Sequence, residues 1–179
     1  MSEKEESVKS ILSLTLICIL VSFSVVLTYK FTKPYIERSA NQAAYSALDS
    51  IFPNENSYSE INVRSEILEE YGCTFMRKAD NSDAVAFQIE TRGYQSGLVV
   101  MVGVANDRNV VGLKVVKHSE TEGIGTRAMT EEYLSQYVEE NNTQGVEIIS
   151  GATYTSNGIK NAVDSALKLF DAIKEEIYG

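Results

Sequence analysis

The stretch Ser150-Gly151-Ala152-Thr153-Tyr154-Thr155-Ser156 lies between an apolar run, residues 146–149, and a long amphipathic segment. That order predicts a strand handing over to a helix through a tight, hydroxyl-rich turn. Such a turn leaves the first N–H groups of the helix unpaired at the positive end of its dipole, which suits phosphate or another anion. The hydroxyls of Ser150, Thr153 and Thr155 are expected to face one small space. A plain N-cap uses the same residue types, so spacing alone leaves the turn open between the two readings.

Downstream of the turn, Ile159, Val163, Ala166, Leu167, Phe170, Ile173 and Ile177 fall on one stripe, which predicts a helix of about five turns packed on a sheet. Upstream, strand-like runs occupy residues 73–77, 84–91, 98–105 and 110–117, and Asn106-Asp107-Arg108-Asn109 is a turn between the last two. Short successive strands with tight connections predict a mostly antiparallel sheet. Thr130, followed by Glu131 and Glu132, opens a capped helix carrying Tyr133, Leu134, Tyr137 and Val138. Residues 54–72 are polar and mixed and read as a loop with a short helix. Before them Ala40, Ala43, Ala44, Ala47, Leu48 and Ile51 recur at helical spacing until Phe52-Pro53-Asn54 stops the pattern, and Pro34 marks a kink.

Residues 11–29 carry no charge and are bounded by Lys9 and Lys30, enough apolar length to cross a bilayer as one helix. A cleaved signal peptide is the competing reading. The run is longer than a usual signal core, and the segment before it mixes Glu3, Glu5 and Glu6 with Lys4 and Lys9, so a retained anchor is preferred. Ser13, Thr15, Ser22, Ser24 and Thr28 are expected to bond back to the helix or to neighbouring helices. Lys4 and Lys9 on one flank face Lys30, Lys33 and Arg38 on the other, and charge does not orient the span.

The net charge of -9, with a pI near 4.7 and no Lys/Arg cluster, excludes a nucleic-acid partner. Only Cys18 and Cys73 occur. An iron–sulfur centre or structural zinc held by this chain alone is therefore excluded, and Cys73 is expected to be a buried small hydrophobe.

With Glu147 ahead of it, the opening turn resembles the motif Asp-x-x-Ser/Thr-Gly-Ala-Thr of the FMN-binding domain family, in which the last Thr is esterified to the phosphate of FMN. His118-Ser119-Glu120-Thr121-Glu122-Gly123-Ile124-Gly125 resembles that family's His-x-Glu-Thr-Pro-Gly-Leu-Gly loop, and Gly93-Tyr94-Gln95-Ser96-Gly97 its Gly-Tyr-x-Gly strand entry. The resemblance covers about residues 85–165 and, with the single span, extends to the whole chain. Two residues depart from the pattern. Glu147 replaces Asp and Glu122 replaces Pro, which keeps a carboxylate on a longer arm in one case and removes a fixed backbone in the other.

The resemblance implies an α+β fold: one N-terminal transmembrane helix, then one FMN-binding domain whose mostly antiparallel sheet is packed by helices. The division expected is 1–30 for the N-terminal segment and anchor, 31–72 for a juxtamembrane helix and connector, and 73–179 for the FMN-binding domain. Also implied is covalent FMN on Thr153, with Ser150, Gly151, Ala152, Tyr154, Thr155, His118, Glu120, Thr121, Gly123, Ile124 and Gly125 around the cofactor and no metal. Gly123 and Gly125 would let backbone approach the flavin edge. Of Tyr94, Tyr133, Tyr137 and Tyr154, the preferred aromatic neighbour is Tyr154, which follows Thr153 directly, while Tyr133 and Tyr137 fit a core stripe and the chain has no Trp.

Members with this layout serve membrane-bound, ion-translocating electron-transfer complexes, the Rnf-type ferredoxin:NAD oxidoreductase and the related Na+-translocating NADH:quinone oxidoreductase. The resemblance thus implies a redox subunit without a complete active site of its own. Its partners would be the other membrane and peripheral subunits, with a separate Mg²⁺-dependent flavin transferase for maturation. The large domain would lie on the outer face of the cytoplasmic membrane. A membrane-anchored flavin-binding or sensory module outside any such complex is the rival, and a purely structural assembly subunit is a third reading.

Overall fold

The computed structural model describes the backbone of residues 3–178, and the side chains from residue 11 onward apart from those at 31, 33–38 and 40. The chain divides into two compact units, Met1–Gln42 and Ala43–Gly179.

The first unit is helical throughout its described length, as part of α1 (Glu3–Ile51). Within it Ile11–Lys30, with a mean hydropathy of 2.6, is long and apolar enough to cross a membrane. The hydroxyls of Thr15, Ser24 and Thr28 donate to the carbonyls of Ile11, Leu20 and Ser24 at 2.8–2.9 Å, so these three hydroxyls are satisfied within the helix itself, as an apolar surrounding demands. The side chain of Pro34, where a kink is expected from sequence, lies outside the described residues.

The second unit opens with the last turns of α1 and continues through β1 (Tyr58–Ser59), α2 (Ser65–Glu70), β2 (Cys73–Ala79), β3 (Ala84–Arg92), β4 (Ser96–Ala105) and β5 (Val110–Lys117). The five strands make one sheet in the order β1-β2-β3-β4-β5, every neighbouring pair antiparallel. Past the sheet come a 3-10 turn at Gly125–Met129, the short α3 (Glu131–Leu134) capped by the Thr130 hydroxyl, a second 3-10 turn at Ser135–Tyr137, and α4 (Thr153–Tyr178). The helix expected to run on to Val138 thus breaks into one α-turn and one 3-10 turn. Tyr133 and Tyr137 are nevertheless both buried.

Both faces of the sheet are covered, which explains the nearly continuous apolar run of β4. On one face Val85, Phe87, Ile89, Val100, Val102 and Val104 pack against Ile159, Val163, Leu167 and Phe170 of α4. On the other, Ala84, Ala86 and Met101 pack against Ala44, Ala47, Leu48 and Phe52. Small residues set the close approach there. Gly103 and Gly112 are register partners, and a side chain on Gly103 would begin 2.7 Å from Ile51 Cγ2 and 2.9 Å from Phe52 Cζ.

The apolar run at 146–149 is not a strand. Val146 N–H donates to Thr143 O at 3.4 Å and Ile149 N–H to Ser156 Oγ at 3.3 Å. These backbone groups are met by a local turn and by α4 rather than by a ladder, while Val146 and Ile149 still pack on the core.

Candidate functional site

Three segments of the second unit meet at one cleft: the β3–β4 turn, the loop after β5, and the start of α4. The cavity is about 350 Å³ and is lined by Tyr94, Glu120, Thr121, Ile124, Gly125, Gly151, Ala152, Thr153, Tyr154 and Thr155. That volume is at the small end of ligand sites.

The start of α4 is shaped by Gly151, whose φ of +84° is open to glycine and strained for other residues. Ser156 N–H makes the first intrahelical bond, to Ala152 O at 2.9 Å. The N–H groups of Thr153, Tyr154 and Thr155 in the first turn therefore have no helical acceptor. Positions 153 and 155 lie about 200° apart around a helix, so their side chains point to opposite sides. Thr153 faces out and is exposed, whereas Thr155 is 1% exposed and its hydroxyl donates to Glu120 Oε2 at 2.6 Å. The three hydroxyls expected to share one space therefore do not. Thr153 lines the cleft, Thr155 lines it with its proton committed to Glu120, and Ser150 is exposed outside the lining.

Glu120 is the best-connected group of the site. Its carboxylate is buried and also accepts from Tyr94 N–H at 3.3 Å and Gln95 N–H at 3.0 Å. Two glycines make room for it: a side chain on Gly93 would begin 2.5 Å from Oε1, and one on Gly125 2.8 Å from Oε2. The bare face of Gly125, expected to admit a ligand's edge, is thus already filled by Glu120 and Thr155.

The loop itself is a tight turn, with Ile124 N–H and Gly125 N–H both donating to Thr121 O, at 3.2 and 3.0 Å. It presents Ile124 to the cleft, 55% exposed. Gly123, at φ +73°, donates to Thr126 Oγ1 at 2.9 Å. Neither Gly123 nor His118 lines the cleft, and His118, Glu122 and Glu147 are exposed.

One residue of the site is not evident from sequence. Arg127, on the 3-10 turn behind the loop, donates from Nη1 to Ser150 O at 3.3 Å and reaches within 3.8 Å of where a side chain on Gly151 would begin. No spacing rule points to it. Tyr94 belongs to a strand entry by its motif, yet its ring stands 6.0 Å from that of Tyr154 at 62°, and both rings are largely exposed.

The chemistry of these groups fits an anion carrying a flat apolar body. Free N–H groups and the Arg127 guanidinium serve the anion beside the Thr153 hydroxyl, and Tyr94, Ile124 and Tyr154 offer apolar surface to a ring. Among the described residues no cluster of His, Cys, Asp and Glu could hold a metal ion.

Comparison with known proteins points the same way. Residues 93–168 match the FMN-binding domain family. Over 87% of both chains, the protein is 20% identical to the G subunit of the proton-translocating ferredoxin:NAD(+) oxidoreductase complex of Clostridium ljungdahlii. It is 26% identical to the G subunit of the ion-translocating oxidoreductase complex of Methanosarcina acetivorans, covering 96% of this chain and 98% of that one. With the protein of that same name from Aliivibrio fischeri it shares 25% identity, over 94% and 92% of the two chains.

Proposed function

We propose that the chain, whose residues 93–168 match the FMN-binding domain family, is the G subunit of an Rnf-type, ion-translocating ferredoxin:NAD oxidoreductase complex, carrying electrons on FMN esterified to Thr153. The observation that carries this reading is the position of Thr153. It is the hydroxyl that both lines the cleft and heads a helix whose first N–H groups are free, with Arg127 beside the turn. FMN, when bound, supplies one- and two-electron chemistry, and the protein supplies position and field.

Each residue has a part in that arrangement. The N–H groups of the first turn of α4 and the Arg127 guanidinium would hold the phosphate beside Thr153. Tyr94, Ile124 and Tyr154 would offer apolar surface to the ring, and Glu120, Thr121 and Gly125 shape the loop of the cleft. Ser150, Gly151 and Ala152 form the backbone turn, while His118 and Gly123 lie outside the lining.

Thr153 Oγ1 forms its bond to the flavin-side phosphorus of FAD, and the P–O bond to AMP breaks. AMP departs and the hydroxyl proton passes to a base of a separate Mg²⁺-dependent transferase. The Ile11–Lys30 helix anchors the protein among the membrane subunits of the complex, with the large domain on the outer face. Ferredoxin and NAD sites belong to partners, so the chain is part of a translocase without a complete active site of its own.

The test is intact-mass spectrometry, with flavin fluorescence after denaturation, on chain made alongside an active transferase. Parent chain gains one FMN-sized mass and Thr153→Val gains none. An unmodified parent, or a modified Thr153→Val, overturns the covalent assignment.

A further inference from the structure

We infer that Glu120 is a positioning residue that fixes which hydroxyl of the turn is open to phosphoryl transfer. It acts through Thr155 rather than on the flavin. The inference rests on the reading that Thr153 is the acceptor, and deepens it.

Four aliphatic hydroxyls lie within seven residues, on Ser150, Thr153, Thr155 and Ser156. Ser156 accepts from Ile149 N–H, and Thr155 donates to Glu120. The second bond is the informative one. A threonine hydroxyl 2.6 Å from a carboxylate oxygen has the geometry of an activated nucleophile, with the base in place to take its proton. Burial decides against that role, because Thr155 is 1% exposed whereas Thr153 is exposed. The bond instead fixes the rotation of the first turn of α4. With Thr155 held inward, the offset of about 200° between the two positions sends Thr153 outward into the cleft.

The same carboxylate ties this turn to the β3–β4 connection through Tyr94 N–H and Gln95 N–H. One buried side chain thus sets the separation between the acceptor hydroxyl and the Tyr94 wall. Gly93 and Gly125 mark how closely it is enclosed, since a methyl group on either would meet its oxygens at 2.5–2.8 Å. Removing the Glu120 carboxylate would leave a buried Thr155 hydroxyl and two N–H groups without their acceptor, a state the fold relieves by turning α4 or opening the hairpin turn.

The experiment measures transferase-dependent flavinylation rates of the full chain in detergent, with FAD as donor and peptide mapping of the modified residue. Thr155→Val, close in shape to threonine and lacking only the hydroxyl, is expected to slow modification of Thr153 at least tenfold. Thr155→Ser restores the bond and is expected to stay within about threefold of the parent. Glu120→Gln, keeping the shape and losing the charge, is expected between the two.

A second readout needs no flavin. In unmodified chain, amide exchange at Tyr94 and Gln95 is expected to accelerate in Glu120→Gln, and to keep the parent rate in Thr155→Ser. Parent-like flavinylation in Thr155→Val overturns the inference, as does equal slowing in Thr155→Ser or unchanged exchange in Glu120→Gln. An unmodified parent would instead overturn the assignment of Thr153, while the exchange measurement still reports on Glu120.

Discussion

Gly158→Ala is a substitution whose sign the structure reverses. In an exposed helix interior, glycine to alanine stabilises by about 1 kcal/mol. Gly158 lies in the second turn of α4 and is buried. A methyl group there would begin 2.7 Å from Arg92 O, 2.9 Å from Leu98 Cδ2 and 3.1 Å from Gly93 Cα. Two of those three atoms are backbone and cannot rotate away. Overpacking costs about 1–3 kcal/mol, and two immovable backbone contacts put this site in the upper part of that range, about 2–3 kcal/mol. After the propensity gain of about 1 kcal/mol the expected net loss is about 1–2 kcal/mol. In urea this lowers the midpoint by roughly 0.5–1 M for a domain of this size. The strand end it strikes runs directly into Tyr94, so the cleft moves with it. The assay is urea unfolding of the full chain in detergent, followed by tyrosine fluorescence, since the chain has no Trp. A midpoint equal to or above the parent would mean that α4 does not sit on residues 92–93 as closely as described, and the account of the cleft would fall with it.

Other predictions concern acid stability, the buried thiol and the acceptor itself. Burial opposes ionisation of Glu55, but hydrogen bonds from the Ser82 hydroxyl, the Asn81 and Ser57 N–H groups and the Asn81 amide outweigh it and hold the carboxyl below its usual 4.5. Asp80 is held below 3.8, mainly by the Ser59 and Ser57 hydroxyls. Both groups are depressed, so their contribution is complete above the unfolded values and is lost as pH falls through the folded ones; thermal melts should weaken below about pH 4.5, and Glu55→Gln should flatten that slope. Burial pushes the Cys73 thiol up to about 11, so a thiol reagent at neutral pH should label it only in denaturant. Thr153→Val should leave the melting temperature within about 2 °C, because an exposed first-turn hydroxyl bears little on stability.

Much of the sheet is legible because β3 and β4 are covered on both faces. Their apolar runs at 84–91 and 98–105 therefore appear as strands Ala84–Arg92 and Ser96–Ala105 with small shifts at the ends. What failed had weak local signals. The two-residue β1 exists only through its pairing with β2, and 54–72 offers no alternation to announce it. The helix stripe from Ile159 to Ile177 gives about five turns, yet α4 begins at Thr153. Its first six residues are small or polar apart from Tyr154 and are held by packing rather than by an apolar stripe. The run 146–149 carries strand composition and finds no strand to pair with.

The site divides along the same line. Thr153 and its turn are contiguous in sequence, so a local motif exposes them. The groups that make the turn usable are not contiguous. Glu120 lies 35 residues from Thr155 and 25 from Gln95, and Arg127 is 23 from Ser150. Their roles arise only when β3, β4 and β5 bring the hairpin turn and the loop to one end of the sheet. The glycines show this most clearly. Sequence reads Gly125 as a bare surface for a ligand, but its missing side chain is filled by Glu120, because a buried carboxylate needs both space and three donors more than the cleft needs a wider floor. A site of this type is read from its local turn in the sequence and from its brace in the fold, and it is the brace that commits the Thr155 hydroxyl to Glu120 and leaves that of Thr153 exposed at the cleft.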